Sequence, residues 1–332
     1  MNNQKLLTIA IPTYNRATVL AKNLRLLLDI ILKNNLKNLV DIVILNNASP
    51  DNTVELVAAI ISENPEISAH FHSQNENVGV LRSIIDLLSL SEGHYILYLG
   101  DDDFINANYL IAVLNKLETD SNTACIIPSY QNITSSGNPI GVGRDINRKS
   151  RSFNAGFASI YQNSWRGHQM SGLVFLRERV LTEYKKYKIC NLYLWLFFVS
   201  SCAYIGNTYH LTENPILVTR PGQSNKTWGY EDDGLISHVF DNYKAYTRLN
   251  YFQRVLLQLK FLDVQYWRYA MYLKLGFGKF LKALCKITFG KNTLLATRIL
   301  FPILLPIIAV KKVISFAFSG QLLEIINTKV DI

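Results

Sequence analysis

Three consecutive carboxylates, Asp101, Asp102 and Asp103, are the residues of this 332-residue chain that most clearly suggest chemistry. They directly follow an apolar run at positions 94–99. Adjacent carboxylates repel one another unless a cation or solvent screens them. Hard divalent cations take carboxylate and phosphate oxygens together as ligands. We therefore predict a Mg²⁺ or Mn²⁺ site at Asp101, Asp102 and Asp103 that is shared with a diphosphate. An acidic surface turn is the simpler alternative.

Polar side chains near other predicted element ends suit a nucleotide. Asn46 and Asn47 follow an apolar run at 40–45, and a carboxamide can hydrogen-bond to a uracil or thymine ring. Arg82 lies near the start of a helix predicted from Gly79, and its permanent positive charge could contact nucleotide phosphates. Turn or N-cap roles for the asparagines, and a solvated helix face for the arginine, are the alternatives.

Alternating strand and helix patterns over the first hundred residues position these side chains. Strands are predicted at 6–11, 40–45, 69–72 and 94–99, with helices at 18–32, 53–61 and 79–90 between them. Such alternation implies βαβ units with right-handed crossovers. In such a sheet, ligands bind at the carboxyl ends of the strands, and the polar clusters fall at those ends.

Beyond residue 110 the pattern is less regular and then becomes helical. We predict strands at 123–127, 171–176 and 211–219, a helix at 191–203, and irregular polar segments at 129–153 and 220–233. Helical patterns dominate from there to the C-terminus. We therefore predict an α/β catalytic domain over residues 1–235 and a helical C-terminal region over residues 236–332.

The positive charge is concentrated in the C-terminal part of the chain. The chain carries a formal net charge of +9, with 49% hydrophobic and 18% charged residues, which excludes a disordered protein. From residue 260 onward there are 11 Lys and Arg against 3 Asp and Glu, so the remainder is almost neutral. A basic segment can indicate nucleic acid or an anionic membrane surface.

An uncharged apolar run, Ile299–Val310, lies within this basic segment. It is shorter than the roughly 20 residues that span a bilayer, and we expect Pro302 and Pro306 to interrupt a helix there. Apolar residues flanked by lysines are typical of an element that lies in the membrane interface. A helix buried between domains or in a homo-oligomer is the main alternative, and a full membrane span is less favoured.

Four motifs resemble, in order, the successive signatures of family 2 glycosyltransferases. They are IPTYNR at 11–16, ILNNASPDNT at 44–53, NVGVLR at 77–82 and GHYILYLGDDD at 93–103. The similarity covers about residues 5–110. The last motif most resembles the bacterial abequosyltransferase-like branch, whose members act on surface polysaccharides.

The resemblance implies a GT-A fold, a nucleotide-diphosphate sugar donor and inversion at the anomeric carbon. It implies that the donor is contacted by Pro12, Thr13, Tyr14, Arg16, Asn46, Arg82, Asp101 and Asp102, to which we add Asn47. It also implies that Asp101 to Asp103 form a DXD-type metal and sugar site. Asn46 stands where many family members have Asp, which keeps an acceptor oxygen but removes a charge.

The catalytic base is not evident from the motifs. Inverting members usually carry an acidic pair at the start of the helix after the strand equivalent to 171–176, and this chain has no carboxylate at 190–195. We predict Asp232 and Asp233 as substitutes, with His168 as a weaker candidate. A solvated acidic loop is the alternative for the two aspartates.

The predicted function is transfer of a sugar from a UDP- or dTDP-sugar to a hydroxyl of a lipid-linked or cell-surface glycan. We expect a cytoplasmic enzyme, peripheral on the inner face of the cell membrane, because four scattered cysteines suit a reducing compartment and no signal-peptide pattern is present. A nucleotidyltransferase acting on sugar phosphates is the alternative enzyme class. Such an enzyme would normally carry a glycine-rich phosphate loop with Lys near the N-terminus, and residues 11–16 do not form one. A non-enzymatic basic protein that binds membrane or nucleic acid is the third reading, and aliphatic runs between the cations argue against nucleic acid.

Overall fold

An eight-stranded sheet forms the centre of the first of two units, Met1–Ser224 and Asn225–Ile332, into which the chain divides. The computed structural model describes residues 4–220, 229–230 and 232–319. The strands are β1 (Leu7–Thr13), β2 (Val40–Asn46), β3 (Ala69–Ser73), β4 (Tyr95–Tyr98), β5 (Thr123–Ile133), β6 (Arg151–Phe153), β7 (Val174–Leu176) and β8 (Asn207–Thr219). Their order across the sheet is β3-β2-β1-β4-β7-β5-β8-β6.

Helices fill most of the connections between these strands. They are α1 (Ala17–Lys33), α2 (Thr53–Ser62), α3 (Val80–Leu90), α4 (Ala107–Thr119), α5 (Phe157–Asn163), α6 (Arg177–Tyr187) and α7 (Leu194–Ile205), with a short 3₁₀ helix at Ser164–His168. On α1, the buried residues Leu20, Leu24, Leu27, Leu28 and Ile31 recur at helical spacing and join the core of β1, β2 and β4. The first three helices match the predicted ones to within about two residues, which is the usual precision of helix ends.

The sheet is mostly parallel, so the predicted α/β class is confirmed. β1 pairs parallel with β2 and β4, and β2 pairs parallel with β3. β7 runs antiparallel to β4 and β5, whereas β8 runs parallel to β5. Consequently the carboxyl ends of β1, β2, β4, β5 and β8 meet at one edge, together with the start of β7. This edge is called the carboxyl edge below.

Strand β5 extends further than its sequence suggests. The polar segment predicted to be irregular from residue 129 begins with strand residues, because β5 continues past Pro128 and pairs Tyr130–Ile133 with Ile216–Thr219 of β8. The register shifts between Pro128 and Tyr130, which marks a bulge. Gln131 and Asn132 are only half-buried there, and their polar side chains interrupt the apolar pattern from which a strand is predicted.

The second unit is helical in its described residues. Its helices are α8 (Ile236–Ala245), α9 (Tyr251–Val264), α10 (Trp267–Ala270), α11 (Phe277–Phe289) and α12 (Leu295–Ser319), with a 3₁₀ helix at Met271–Leu275. The prediction that Pro302 and Pro306 interrupt the apolar run is wrong, because both lie inside α12. They are four residues apart on its exposed face, while Phe301 and Ile308 are buried and anchor the helix. Among the described residues, none of the helices combines the length and the apolar character that a membrane span requires.

Candidate active site

The turn that follows β4 carries the three predicted aspartates at the carboxyl edge. Asn23 of α1 donates to the carbonyl of Gly100 over 3.2 Å, and Thr13, at the end of β1, donates through its hydroxyl to Asp101 Oδ2 over 2.8 Å. A Cβ on Gly100 would lie 3.2 Å from both Asp103 Oδ2 and Ser171 Oγ. The tight turn therefore brings its carboxylates against two neighbouring strands.

Arg16 binds two of the three carboxylates at once. Its Nη1 lies 2.8 Å from Asp101 Oδ1 and 2.7 Å from Asp102 Oδ2. Burial raises the pKa of Asp101 to about 6, although the positive charge of Arg16 opposes that rise. Burial acts to lower the pKa of Arg16, but the two carboxylates outweigh it and the net change is upward. The guanidinium therefore stabilises the negative charge at this turn.

The carboxylate of Asp103 is turned inward. Thr219, at the end of β8, donates its backbone N–H to Oδ1 over 2.9 Å, and the Gln169 amide and the Ser171 hydroxyl donate to Oδ2. Burial, followed by repulsion from Asp102, raises the pKa of Asp103 to about 7. Asp103 therefore links the turn after β4 to the segment before β7 and to the end of β8.

The three carboxylates do not form a common metal cage. No group of three or more His, Cys, Asp or Glu side chains among the described residues is arranged to hold a metal ion. Arg16 binds Asp101 and Asp102, and protein donors satisfy Asp103, so metal binding by all three aspartates stays a prediction. Asp102 has the most exposed side chain of the three, at 19%. Mg²⁺ is commonly held by one or two carboxylates plus substrate phosphates, so these residues fit a metal that arrives with a diphosphate.

The predicted nucleotide-binding residues of β1 and β2 lie at the same edge. Asn46 is almost wholly buried; its amide donates to Ser73 Oγ over 2.7 Å, and its carbonyl oxygen accepts from the backbone N–H of Ser49 over 3.0 Å. These bonds fix the orientation of the carboxamide. Pro12 is half-buried, and Tyr14 is 39% exposed. Base recognition by Asn46 stays a prediction.

Asn47 and Arg82 are linked through the start of α3. The Asn47 carbonyl oxygen accepts from the backbone N–H of Val78 over 2.9 Å, which ties β2 to the turn before α3. Arg82, in the first turn of α3, pairs with Asp86 over 2.9 Å and keeps 68% of its side chain exposed. Asn47 therefore has a structural role, and contact of Arg82 with a donor stays a prediction.

The expected acidic pair of family 2 enzymes is replaced by aromatic core residues. The first turn of α7 contains no acidic residue, and Tyr193 and Trp195 are buried there. The Trp195 ring lies 4.5 Å from that of Tyr98, centroid to centroid. The start of α7 therefore stabilises the core and supplies no base.

Asp232 and Asp233 have identifiable partners within the second unit. Lys286 and Lys282 hydrogen-bond to Asp232 and lower its pKa, which makes the carboxylate a weaker proton acceptor. Asp233 is buried and accepts from the backbone N–H groups of Leu235 and Ser237, over 2.9 and 3.0 Å, at the start of α8. These contacts give both residues structural roles, and their role as a base stays an untested prediction.

His168 ends the 3₁₀ helix that leads to Gln169 and Ser171, next to Asp103. Gln169, Ser171 and Thr219 contact Asp103 but were not predicted. Arg220 lies beside them and donates to Gln169 Oε1 over 3.4 Å. Thr219 and Arg220 could have been found, because they end a predicted strand in the same way as Asn46 and Asp101.

Comparison with known proteins identifies the family. Residues 8–181, more than half of the chain, match the model of Glycosyl transferase family 2. The chain belongs to glycosyl transferase family 2. The protein is therefore a glycosyltransferase, as predicted from its motifs. No curated protein sequence matches the chain significantly.

Solved structures in complex with nucleotide sugars share the fold of this family 2 chain. S. aureus TarS residues 1–349 in complex with UDP-GlcNAc superimposes with a TM-score of 0.66 at 14% identity, covering 87% of this chain and 81% of that one. The mannosyltransferase PcManGT from Pyrobaculum calidifontis, in complex with GDP-Man and Mn²⁺, gives 0.53 at 12% identity, covering 87% and 88%. Such low identities show the fold alone, which is GT-A-like.

Proposed function

We propose that this family 2 enzyme is an inverting glycosyltransferase of bacterial surface polysaccharide synthesis. Its donor is a UDP- or dTDP-sugar, and its acceptor is a hydroxyl of a lipid-linked or cell-surface glycan. The observation that carries the proposal is the Asp101–Asp102 turn, which is bound by Arg16 at the carboxyl edge of a parallel sheet. The surface-polysaccharide role rests on the resemblance of the triple-aspartate motif to abequosyltransferase-like enzymes.

The arrangement suits displacement of a diphosphate from a sugar. The acceptor oxygen bonds to the anomeric carbon, and the bond from that carbon to the diphosphate oxygen breaks with its electron pair on the diphosphate. Arg16 is half-buried beside Asp102 and is placed to bind a diphosphate oxygen as a permanent cation. A bound Mg²⁺ or Mn²⁺, held by Asp102 and the diphosphate, would stabilise the negative charge of the leaving group.

Nucleotide sugars are the donors to test first. TarS is in complex with UDP-GlcNAc in one neighbouring structure, and PcManGT is in complex with GDP-Man in another. We therefore propose a thermal-shift screen of UDP-, dTDP- and GDP-sugars with and without Mn²⁺. One nucleotide sugar should stabilise the wild type, and Mn²⁺ should strengthen the effect.

Asp102→Asn should lose the strengthening by Mn²⁺ in this screen, because it removes the most exposed carboxylate of the turn. Asp29→Asn is the matched control, since Asp29 is an exposed acid of α1 that pairs with Lys33 on the same helix. Release of a nucleoside diphosphate supports glycosyl transfer. Formation of pyrophosphate from a nucleoside triphosphate and a sugar phosphate, supplied in a parallel assay, would indicate nucleotidyl transfer instead.

We also propose that the second unit docks on the inner face of the cell membrane through α12. An apolar stripe runs along this helix with side chains between 51% and 68% exposed. Its residues are Leu295, Ile299, Ile303, Ile307, Val310 and Ile314. Spacings of three and four residues place them on one face, and so large an exposed apolar stripe is unusual in a soluble protein.

The charge near this stripe favours anionic lipid as its occupant. The lysines at 279, 282 and 286 recur at helical spacing on α11, and all three are exposed to solvent. Asp232 offsets part of their charge, and Asp263 pairs with Lys311 and Lys312. The balance from residue 260 onward is still strongly basic, which complements acidic headgroups.

Sedimentation with vesicles tests the docking proposal. Wild-type protein should bind phosphatidylglycerol vesicles more strongly than phosphatidylcholine vesicles, and Ile303→Asp with Ile307→Asp should abolish binding. Val142→Asp is the control, because Val142 is an exposed valine of the first unit, at 67%. Unchanged vesicle binding by the double variant would contradict the proposal. It would also be contradicted if the wild type dimerised with rising concentration and the double variant did not, since the stripe would then bind a second copy of the chain.

A further inference from the structure

The end of β8 and the approach to β7 lie beside the aspartate turn, because Thr219, Gln169 and Ser171 contact Asp103. These strands lie beside β4 in the sheet, and β7 is antiparallel, so its start is at the carboxyl edge. His168 is the last residue of the 3₁₀ helix before that start. The next residue, Gln169, donates to Asp103 over 3.2 Å. The fold therefore brings an imidazole next to the residues that surround the aspartate turn.

The contacts of His168 determine which ring nitrogen carries the proton. Nδ1 lies 3.0 Å from the backbone carbonyl oxygen of Trp165. A carbonyl oxygen can only accept a hydrogen bond, so Nδ1 is the protonated nitrogen of the neutral ring. Nε2 then carries the lone pair and lies 3.5 Å from the hydroxyl oxygen of Tyr130, a long contact. A backbone acceptor on one nitrogen is the usual way in which a catalytic histidine is oriented.

The segment that carries His168 is held rigidly by buried charges. Arg144 donates to the backbone carbonyl oxygen of Arg166 over 2.6 Å, and Arg166 donates to Asp145 over 2.8 Å. The imidazole stacks on Trp165, with ring centroids 6.1 Å apart and planes 7° from parallel. These contacts fix the ring before a substrate binds, which general-base chemistry requires.

Several titratable and charged groups surround the imidazole. Arg166 lies over the ring of Trp165, with its guanidinium carbon 4.5 Å from the ring centroid. Tyr130 approaches from β5, and the guanidinium carbon of Arg144 lies 4.8 Å from its ring centroid. Asp103 and Arg220 face the histidine segment through Gln169. The neighbourhood therefore combines cations with two buried carboxylates, Asp103 and Asp145.

We infer that His168 Nε2 accepts the proton of the acceptor hydroxyl, with Tyr130 and Trp165 as positioning residues. The inference rests on the proposed glycosyl transfer. The hydroxyl O–H bond breaks with its proton moving to Nε2, and the freed electron pair forms the bond to the anomeric carbon. The anomeric carbon–oxygen bond breaks, and its electrons leave on the diphosphate. The base that is absent from the start of α7 is supplied from the approach to β7.

Turnover of the donor by His168→Gln tests this assignment. General-base catalysis contributes about 10²–10⁴-fold, so we expect kcat to fall by that factor while the KM of the donor stays within about twofold. The acidic limb of the kcat–pH profile should change in His168→Gln, because one of the groups that titrate in the site is removed. His94→Gln is the matched control, since His94 is exposed and precedes β4 at the opposite edge of the sheet. Tyr130→Phe should raise the KM of the acceptor or lower kcat by a smaller factor.

Controls separate this inference from the proposed function. Thermal shift by the donor should persist in His168→Gln, which shows that the variant is folded, and imidazole added to His168→Ala should restore part of kcat. A His168→Gln enzyme with wild-type kcat and an unchanged acidic limb would overturn the base assignment alone. A wild-type protein that neither binds nor turns over any nucleotide sugar would overturn the proposed function and the base together.

Discussion

Replacing Arg16 with alanine tests whether one guanidinium stabilises the aspartate turn. The side chain of Asp101 is 8% exposed, and those of Arg16 and Asp102 are 16% and 19% exposed. Removing one partner of a buried ion pair costs about 3–5 kcal/mol, because a buried charge is left without compensation. Since Arg16 and Asp102 keep some solvent, we expect the free energy of unfolding to fall by about 3 kcal/mol at pH 8.

The free energy of unfolding that Arg16→Ala loses should become smaller as the pH falls. Burial already raises the pKa of Asp101 to about 6, and removing the positive charge of Arg16 raises it further. A carboxyl whose pKa is higher in the folded than in the unfolded state favours folding when protonated. That contribution is complete below about pH 4, the pKa of an unfolded Asp, and is lost as the pH rises through the folded pKa. Arg16→Ala should therefore lose less stability at pH 5 than at pH 8.

Urea unfolding followed by tryptophan fluorescence at both pH values measures this effect. Arg25→Ala is the matched control on the same helix: Arg25 pairs with Glu63, both side chains are about half exposed, and such pairs contribute about 0–1 kcal/mol. Asp101→Asn added to Arg16→Ala should restore part of the loss, because the more buried of the two carboxylates no longer carries a charge while Asp102 still does. A loss no larger than that of Arg25→Ala, or equal at pH 5 and pH 8, would refute the reasoning.

Further variants test the other aspartates and Asn46. Asp103→Asn should raise the melting temperature at pH 8 but not at pH 4, as measured by differential scanning fluorimetry. The reason is that burial raises the pKa of Asp103 to about 7, and asparagine resembles the protonated acid. Asp233→Ala should destabilise the second unit by about 1 kcal/mol in urea unfolding, as loss of a helix cap does, whereas Asp232→Ala should be indistinguishable from wild type. Asn46→Ala should cost about 1–3 kcal/mol in the same assay, because the N–H of Ser49 and the hydroxyl of Ser73 lose their partner.

The sheet and one half of the site could be predicted because their signals are local. β1, β2 and β4 read as mostly apolar runs, which is typical of strands buried on both faces. Each run ends in polar residues, and parallel pairing places those ends together. Thr13, Asn46 and Asp101 therefore lie at one edge, as predicted, although nothing in their spacing shows which atoms they bind.

The partners of the carboxylates could not be predicted, because they come from distant parts of the chain. Asp103 is satisfied by residues that follow it by more than 60 positions, at the start of β7 and the end of β8. Both Asp101 and Asp102 share the cation of Arg16. Strand and helix periodicity carries no information on such pairings, so three adjacent acids read as three metal ligands.

Proline in α12 shows the limit of a local rule. Pro302 removes a helical hydrogen bond, and a sequence rule ends the helix there. In the structure the lost bonds fall on the exposed side, where water can replace them, while Phe301 and Ile308 pack on the other side. Burial of one helix face therefore outweighs the proline penalty.

Release of nucleoside diphosphate from a panel of nucleotide sugars, by the wild type and by Asp102→Asn, tests the central claim most directly. Asp102 suits this test because, unlike the buried Asp103, it keeps a partly exposed side chain, which pairs with Arg16. We predict that the wild type turns over one UDP- or dTDP-sugar in the presence of Mn²⁺. Asp102→Asn should lose this turnover while melting like the wild type, and Asp29→Asn should retain it. Turnover by Asp102→Asn at the wild-type rate, or no turnover of any nucleotide sugar by the wild type, would contradict the account.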